Sequence, residues 1–265
     1  MTKEISFSTV LITGASSGIG KELAKKLSCK CSYLILNGRN LIALEDLKKE
    51  LSGACKVMII PSELSCSSGL SHILDIIEAH SPDLVINSAG AGLYGETVLY
   101  PLEEQMNILF VNVNALSSIT LNAISTLRKN NQKGTILNIS SAASFFHYPQ
   151  FAIYSASKAY VNHLGLSLDA ETKKYGIRIL TSCPGPVSTQ FRLRASKGFD
   201  KQSSDNNALS AERAADLILE QIEKKQKIKI LGLRMRLLTS IARFLIPESI
   251  LQKILAKEIK KRISN

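Results

Sequence analysis

Short apolar runs alternate with longer amphipathic stretches along most of the chain. The runs have the length of buried strands, and the stretches between them repeat hydrophobic residues with the period of a helix. This alternation is typical of a parallel sheet with helices on both faces. The predicted strands are Val10–Thr13, Tyr33–Asn37, Lys56–Pro61, Leu84–Asn87, Thr135–Ser140, Arg178–Ser182 and, from a weaker pattern, Ile228–Leu231. The predicted helices are Ile19–Ser28, Leu41–Leu51, Gly69–His80, Leu102–Leu127, Phe151–Tyr175 and Ala211–Lys224.

These elements predict a Rossmann-type, doubly wound α/β fold with about seven parallel strands. A chain of 265 residues suits one such domain, spanning residues 1–265, and no internal repeat indicates a second one. Residues 190–210 are polar and rich in small side chains, which fits a lid that closes over a substrate. Residues 233–265 form a basic extension with two predicted amphipathic helices.

Positive charge is concentrated in that extension and in the residues just before it. The net charge is +11, and the stretch from Lys224 onward holds twelve lysines and arginines against two glutamates. A basic amphipathic helix suits an anionic membrane surface, so peripheral membrane contact is one interpretation. A helix that covers the substrate pocket or contacts a second subunit has the same pattern, and the sequence leaves these alternatives open. Nucleic acid is not favoured, because no reading motif is present.

The N-terminal sequence and the cysteines indicate the cellular compartment of the protein. The N-terminus carries no apolar signal region, and no run of 18 apolar residues predicts a spanning helix. The five cysteines are odd in number and lack framework spacing, which is typical of free thiols in a reducing compartment. We therefore expect a cytoplasmic protein. The histidines and cysteines form no metal signature.

A turn of small residues, TGASSGIG at 13–20, joins the first predicted strand to the first helix. Glycines let a backbone approach a pyrophosphate, and the helix N-terminus offers unpaired N–H groups with partial positive charge. The spacing is G-x-x-x-G-x-G, and an ordinary strand-to-helix turn is the alternative. Taken with the rest of the chain, the turn predicts a dinucleotide site. The predicted contacts here are Gly14, Ser16, Ser17, Gly18, Ile19 and Gly20.

The residues after the second strand indicate which dinucleotide binds. In dinucleotide folds this position contacts the adenosine ribose, and a carboxylate there favours the free 2′-hydroxyl of NAD. Gly38 offers no side chain, and Arg39 offers a fixed cation with a fork of donors that suits a phosphate. A solvated arginine in a loop is the alternative. Charge complementarity favours NADP(H) over NAD(H).

Tyr154 and Lys158 lie four residues apart on a predicted helix, hence on one face. An ammonium group close to a phenol stabilises the phenolate and lowers a pKa that is normally about 10. Such a phenol can give a proton to a developing alkoxide near neutral pH. Ser141, at the end of the fifth strand, is placed to hydrogen-bond the same oxygen. A surface pair of tyrosine and lysine is the alternative, since the spacing alone is common.

Together these motifs resemble those of the short-chain dehydrogenase/reductase family in its single-domain form. The resemblance covers residues 9 to about 190 in the same order, and Ser141 precedes Tyr154 by a familiar thirteen residues. Glu63 stands where that family generally has an aspartate that contacts the adenine. The matching stretches are TGASSGIG at 13–20, NSAG at 87–90, FVNV at 110–113, YSASK at 154–158 and CPGPVST at 183–189.

The resemblance implies a role for each matched residue. Tyr154 would be the general acid and base, Ser141 would orient and polarise the substrate carbonyl, and Lys158 would bind the nicotinamide ribose. Asn112 would hold a water that relays protons to solvent. The implied cofactor contacts outside the glycine turn are Asn87, Ala89, Gly90, Tyr154, Lys158, Pro184, Gly185, Val187 and Thr189.

These features predict an oxidoreductase that transfers a hydride between NADP(H) and a carbonyl or alcohol. A catalytically silent dinucleotide sensor or scaffold, with or without contact to a membrane surface, is the alternative. Aromatic residues between Ser141 and Tyr154 favour a hydrophobic substrate, although the same rings suit a subunit interface. Family resemblance also implies a homodimer or homotetramer, formed through the helices before and after the fifth strand. The aromatic residues are Phe145, Phe146, Tyr148 and Phe151.

Overall fold

Seven parallel strands form the central sheet in the computed structural model, which describes residues 6–199 and 208–263. The strands are β1 (Phe7–Thr13), β2 (Cys31–Gly38), β3 (Lys56–Pro61), β4 (Leu84–Asn87), β5 (Gly134–Ile139), β6 (Ile177–Cys183), β7 (Val187–Ser188), β8 (Leu209–Ser210) and β9 (Ile228–Ile230). The sheet order is β3-β2-β1-β4-β5-β6-β9, and β7 pairs with β8 as a separate short ladder. The predicted doubly wound α/β fold is thus confirmed.

Helices cover both faces of this sheet. They are α1 (Gly18–Ser28), α2 (Leu41–Glu50), α3 (Ser67–His80), α4 (Leu102–Leu109), α5 (Leu116–Lys129), α6 (Ala152–Thr172), α7 (Gln190–Ala195), α8 (Ala211–Glu223), α9 (Leu233–Leu245) and α10 (Glu248–Ile263). Successive strand residues point to opposite faces. Val10 and Ile12 pack with α1, α2 and α8, whereas Leu11 packs with α3 and α5. Continuous apolar runs are therefore needed, because each strand is buried on both sides.

The predicted helix over residues 102–127 is present, but it is not regular. A π-helical turn, Phe110–Ala115, separates α4 from α5. Single π-turns inside helices are often found at functional sites. By length and composition alone the run Leu102–Lys129 is apolar enough to cross a membrane. Its residues Ile119 and Ala123 are buried against the sheet instead, as in the core helix of a globular fold.

The two C-terminal helices differ in what they bury. Helix α10 directs Leu255 and Ile259 into the protein, where Ile259 joins a cluster of aromatic side chains. Most apolar side chains described on α9 remain exposed, Leu237 and Leu238 among them. The lid predicted over residues 190–210 begins with α7, and its part at residues 200–207 lies outside the described residues.

The strand order reverses direction between β1 and β4. In open α/β sheets ligands bind beyond the carboxyl ends of the strands at such a switch point, since the flanking loops diverge there. The glycine turn after β1, the loop after β4 and the end of β5 all meet at this crevice.

Candidate active site

A cavity of about 350 Å³ lies at the carboxyl ends of the central strands. It runs from the glycine turn and Arg39 at one end to aromatic side chains and α10 at the other. Most residues that the sequence predicts to bind cofactor line it. They are Gly14, Ser16, Ser17, Gly18, Ile19, Arg39, Ala89, Gly90, Tyr154, Lys158, Pro184, Gly185, Val187 and Thr189.

The glycine turn keeps one wall of the cavity clear. Gly14 and Gly18 have positive φ angles of 67° and 57°, which favour glycine. A Cβ on Gly14 would lie 2.8 Å from the backbone of Ala89, and one on Gly20 would lie 2.4 Å from the carbonyl oxygen of Gly14. Gly20 therefore serves the close packing of the turn and does not itself line the cavity.

Helix α6 brings Tyr154 and Lys158 to the cavity from one face, a single turn apart. The ammonium nitrogen of Lys158 lies 5.7 Å from the centre of the Tyr154 ring and donates to the carbonyl oxygen of Ile139 at 2.8 Å. Ser141 lies two residues beyond the end of β5 and lines the same cavity as Tyr154, where its hydroxyl favours the phenolate form of that residue. Its Oγ also accepts from the backbone N–H of Ala143 at 3.1 Å, which orients the hydroxyl.

Burial has the largest effect on the pKa values of Tyr154 and Lys158. It raises the pKa of Tyr154 above its usual value, and the hydrogen bond from Ser141 offsets only part of that rise. Burial also lowers the pKa of Lys158 to about 8, because the charged ammonium is desolvated. The protein's own groups therefore do not lower the pKa of Tyr154, contrary to the prediction from the sequence. Rings packed on Tyr154 exclude the water that would solvate a phenolate.

The π-helical turn places Asn112 against α6, next to the turn that carries Tyr154 and Lys158, but behind the cavity wall. Its Oδ1 accepts from the N–H of Ala91 at 2.9 Å, and its Nδ2 donates to the carbonyl oxygen of Ala91 at 2.9 Å and to Ser157 Oγ at 3.0 Å. The amide is fully buried and does not line the cavity. It fastens the loop after β4 to α6, and a role in proton relay stays a prediction.

Asn87, which the sequence predicts to contact the cofactor, likewise lies behind the cavity wall. Its side-chain amide donates to Thr120 Oγ1 at 3.1 Å and to Asn138 Oδ1 at 2.8 Å. It is buried between β4 and β5, and it does not line the cavity. Any contribution from Asn87 to cofactor binding is therefore indirect, through the position of Ala89 and Gly90.

The other end of the cavity is more open. Arg39 lies on its rim with a side chain that is 60% exposed, and it donates to Glu63 at 3.4 Å. A Cβ on Gly38 would lie 2.9 Å from Ser16 Oγ, so the glycine lets β2 approach the turn closely. This arrangement leaves Arg39 free to turn toward a ligand above the turn.

Aromatic rings form the substrate end. Phe151 stacks on Tyr154 with ring centres 4.1 Å apart, and Tyr94 packs on Phe151 at 4.5 Å. Phe191, from α7, lies 5.4 Å from Tyr154 on another side. Phe146 and Tyr148 line the cavity, as the sequence predicts for this loop, whereas Phe145 does not.

Helix α10 supplies cavity residues that sequence reasoning missed. The Arg262 guanidinium donates to the hydroxyl of Tyr94 at 3.0 Å and pairs with Glu258, which accepts from the hydroxyl of Tyr148 at 3.2 Å. Leu255 and Ile259 pack beneath them. The pattern of the extension allowed a pocket-covering helix as one of its interpretations, and α10 has that position. No motif marked the individual residues.

Comparison with known proteins agrees with this geometry. The family model for short chain dehydrogenases matches residues 8–198. The chain belongs to this family. It is accordingly an oxidoreductase that acts on alcohol or carbonyl groups, as the resemblance implied. Among curated members of the family, an NADP-dependent 3-hydroxy acid dehydrogenase of Schizosaccharomyces pombe is 32% identical over 237 residues, covering 84% of this chain and 89% of that protein.

Solved structures show the same fold. A short-chain dehydrogenase from Sphingobium yanoikuyae, determined with NADPH, has a TM-score of 0.80 at 25% identity and covers 94% of this chain and 95% of its own. A relative from Burkholderia phymatum, determined with NAD, has a TM-score of 0.81 at 21% identity, with 90% and 94% covered. The family therefore includes proteins determined with NADPH and with NAD, so similarity alone does not assign the cofactor preference of this protein.

Proposed function

We propose that the protein is an NADP(H)-dependent oxidoreductase that transfers a hydride between the nicotinamide and a hydrophobic carbonyl or alcohol. One observation carries the proposal. Tyr154, Ser141 and Lys158 come from two separate elements and meet in one cavity with a glycine turn that suits a pyrophosphate. A silent sensor or scaffold would need the turn alone.

Ser141, Tyr154 and Lys158 have different roles at the substrate oxygen that gains or loses the proton. Ser141 donates a hydrogen bond to the substrate oxygen, and Tyr154 supplies the proton as negative charge develops there. Proton donation leaves a phenolate on Tyr154, and the positive charge of the Lys158 ammonium stabilises it. The same ammonium would bind the nicotinamide ribose. Asn112 keeps the loop after β4 in place beneath Gly90. The dinucleotide, when bound, supplies the hydride.

The cavity fits such a cofactor by shape. A Cβ on Gly90 would lie only 3.6 Å from the Lys158 ammonium, so the glycine keeps the floor beside that group open. Pro184, Gly185 and Val187 line the wall after β6, where the nicotinamide would rest. Thr189 begins α7 and lies against Gly18, where it would close over the phosphates.

Replacing the phenol tests the assignment. Tyr154→Phe removes the proton donor and should lower turnover by about 100-fold or more. NADPH binding, followed by its fluorescence, should change little. Tyr160→Phe is the matched control, since Tyr160 lies on the same helix with an exposed ring and should keep full activity. Retained activity in Tyr154→Phe would refute the acid–base assignment.

The preference for NADP(H) rests on the charge at the adenosine end. Arg39 offers a guanidinium there, and Gly38 replaces the carboxylate that would favour NAD. The similarity to a relative whose name states NADP dependence supports the same choice. Arg39→Ala should weaken NADPH binding about tenfold and leave NADH binding nearly unchanged. Equal wild-type affinities for NADPH and NADH would contradict the preference.

The substrate end favours an apolar or aromatic compound. Its walls are mainly rings from Tyr94, Phe151 and Phe191, with apolar side chains of α10. Ketones of increasing apolar bulk should therefore be reduced with falling KM. A screen of aliphatic and aromatic ketones for NADPH oxidation tests this, and a preference for small charged aldehydes would overturn it.

Assembly into a homodimer or homotetramer is proposed through α5 and α6. These helices and the adjoining π-turn carry exposed apolar side chains, among them Phe110, Leu121 and Leu166. Leu121→Arg with Leu166→Arg should shift the sedimentation coefficient to that of a monomer. A monomeric wild type would contradict the proposal.

We also propose that the protein is cytoplasmic and contacts anionic membranes through the outer face of α9 and the start of α10. Leu237 and Leu238 are each 60% exposed there. Basic residues share this face, so lipid phosphates complement it while a second copy would be repelled. The apolar members are Leu233, Leu237, Leu238, Ile241, Leu245, Ile250 and Ile254, and the basic ones are Arg234, Arg236, Lys253 and Lys257.

Vesicle sedimentation tests the membrane contact. The protein should pellet with vesicles of phosphatidylcholine and phosphatidylserine, and much less with phosphatidylcholine alone. Leu237→Ser with Leu238→Ser should abolish pelleting, whereas Val98→Ser with Leu99→Ser, an even more exposed apolar pair elsewhere, should not. If the first pair instead changes only the oligomeric state, the face contacts a second copy and the membrane proposal fails.

A further inference from the structure

Helix α7 is tied to the cofactor turn at its N-terminal end. Thr189 caps the helix by accepting from the backbone N–H of Phe191 at 3.3 Å. The side chain of Thr189 lies against Gly18, since a Cβ there would be 3.0 Å from the Thr189 methyl. Helix α7 therefore starts directly above the glycine turn, and a long side chain near its C-terminal end can reach back to that turn.

Arg194 makes that reach. Its Nη2 lies 3.4 Å from Ser17 Oγ, in the middle of the glycine turn, and its side chain lines the same cavity as Arg39. Among the described residues no carboxylate lies within ion-pair distance of Arg194. Ser17 is a small hydroxyl residue, so the basic charge at this point of the turn comes from α7.

Arg194 and Arg39 both line the cavity at the end with the glycine turn. Burial and the positive charge of Arg39 lower the pKa of Arg194, as expected for like charges held close together. Arg39 is partly balanced by Glu63 at 3.4 Å. A dianion between the two guanidinium groups would relieve their repulsion and accept charge-assisted hydrogen bonds from both.

We propose that Arg194 is a specificity-determining residue that binds the 2′-phosphate of NADP(H) together with Arg39 and Ser17. The inference rests on the NADP(H) assignment made above and adds a residue from the substrate lid to it. The monoester at the adenosine ribose is favoured over the pyrophosphate because Arg194 reaches Ser17, while Gly38, next to Arg39, packs on the neighbouring Ser16. Arg39 follows β2, at the position where dinucleotide folds contact that ribose.

This contact links cofactor recognition to the substrate wall. The same helix carries Phe191, whose ring lies 5.4 Å from Tyr154 and against Gly92. A phosphate that holds Arg194 also holds α7, and so holds Phe191 in place beside the reacting oxygen. Loss of Arg194 should therefore raise the KM for the ketone substrate as well as the Kd for NADPH, with a smaller effect on kcat.

Titrations of the full chain with NADPH and NADH test the proposal. Arg194→Gln should raise the Kd for NADPH about tenfold, since a charge-assisted hydrogen bond is lost, and should change the Kd for NADH less than about twofold. Arg213→Gln is the matched control, because it removes the same charge from an exposed position on α8 outside the cavity. It should leave both affinities unchanged. Circular dichroism checks that each variant is folded.

The outcomes separate this inference from the proposed function. Equal wild-type affinities for the two dinucleotides would refute the NADP(H) preference itself. A wild type that prefers NADPH, with a preference that survives Arg194→Gln and disappears in Arg39→Gln, would refute the role of Arg194 alone. Equal weakening of NADPH and NADH by Arg194→Gln would place the arginine on the shared pyrophosphate and overturn the specificity role.

Discussion

At the end of the cavity proposed to be catalytic, Tyr154 and Lys158 are 8% and 3% exposed, whereas at the end proposed to bind phosphate the Arg39 side chain is 60% exposed. Tyr154 and Lys158 stand on a long helix, and Lys158 donates to the carbonyl oxygen of Ile139. Arg39 follows a strand, and its guanidinium forms an exposed ion pair with Glu63. Changes at the first end should therefore alter rate and folding stability together, and changes at the second should alter affinity alone.

The largest effect is expected from Lys158→Met at the catalytic end. The substitution removes the cation beside the phenol and leaves the carbonyl oxygen of Ile139 without its donor. Turnover at saturating NADPH should fall by about 100-fold or more. Lys174→Met, which changes an exposed lysine in the turn after α6, should keep wild-type turnover. A fall of only a few-fold would show that the ammonium is not part of the chemistry.

The same variant should change how stability depends on pH. The pKa of Lys158 is about 8 in the folded protein and near 10.5 in an exposed chain, so the unfolded state binds more protons between these values. The contribution of Lys158 to the free energy of unfolding should therefore rise from pH 8 to 10.5 and stay constant below pH 8. The difference in urea midpoint between wild type and Lys158→Met should follow that course. A difference independent of pH would contradict the lowered pKa.

Asn112→Ala should reduce stability and activity together. It leaves the N–H and carbonyl of Ala91 without their Asn112 partner, whereas the hydroxyl of Ser157 keeps its bond to the carbonyl oxygen of Tyr154. Two unpaired backbone groups should cost about 2–4 kcal/mol of unfolding free energy in urea titrations. Asn130→Ala, at an exposed helix end, should cost far less. If Asn112→Ala loses activity at unchanged stability, the amide acts on a water and not on the loop.

The smallest effect is expected at the phosphate end. Glu63→Gln releases Arg39 from an exposed ion pair, whose energy is of order 0.2–1 kcal/mol. The Kd for NADPH should fall about two- to threefold, with no change for NADH. Glu103→Gln, an exposed change on α4, should leave both affinities as they are. A gain for both dinucleotides would locate Glu63 at the adenine and not at the phosphate.

The sheet could be predicted because burial on both faces requires uninterrupted apolar runs. Lys56–Pro61 and Leu84–Asn87 were predicted with the observed bounds, and the other strands of the sheet within a few residues. The π-turn at Phe110–Ala115 could not be predicted, because it depends on bonds from Asn112 to residues distant in sequence.

Protonation at the site was not predictable either. The spacing of Tyr154 and Lys158 gives their shared face, but the rings that desolvate them come from elsewhere in the chain. The pattern of α10 was consistent with a membrane helix, a pocket cover and a subunit contact. Its inner face could be assigned only once Leu255 was seen to be buried and Ile259 to lie against the aromatic cluster.

The cover formed by α10 has a consequence for biosynthesis. Arg262 and Ile259 close a cavity whose other walls lie much earlier in the chain, beside the glycine turn and the end of β5. A nascent chain still threaded through the ribosomal tunnel can assemble the sheet and the cofactor turn, but its substrate chamber stays open to water. The substrate end of the cavity is covered only after Arg262 has left the ribosomal tunnel. A bulky fusion placed immediately after α10 should therefore impair catalysis before it impairs folding.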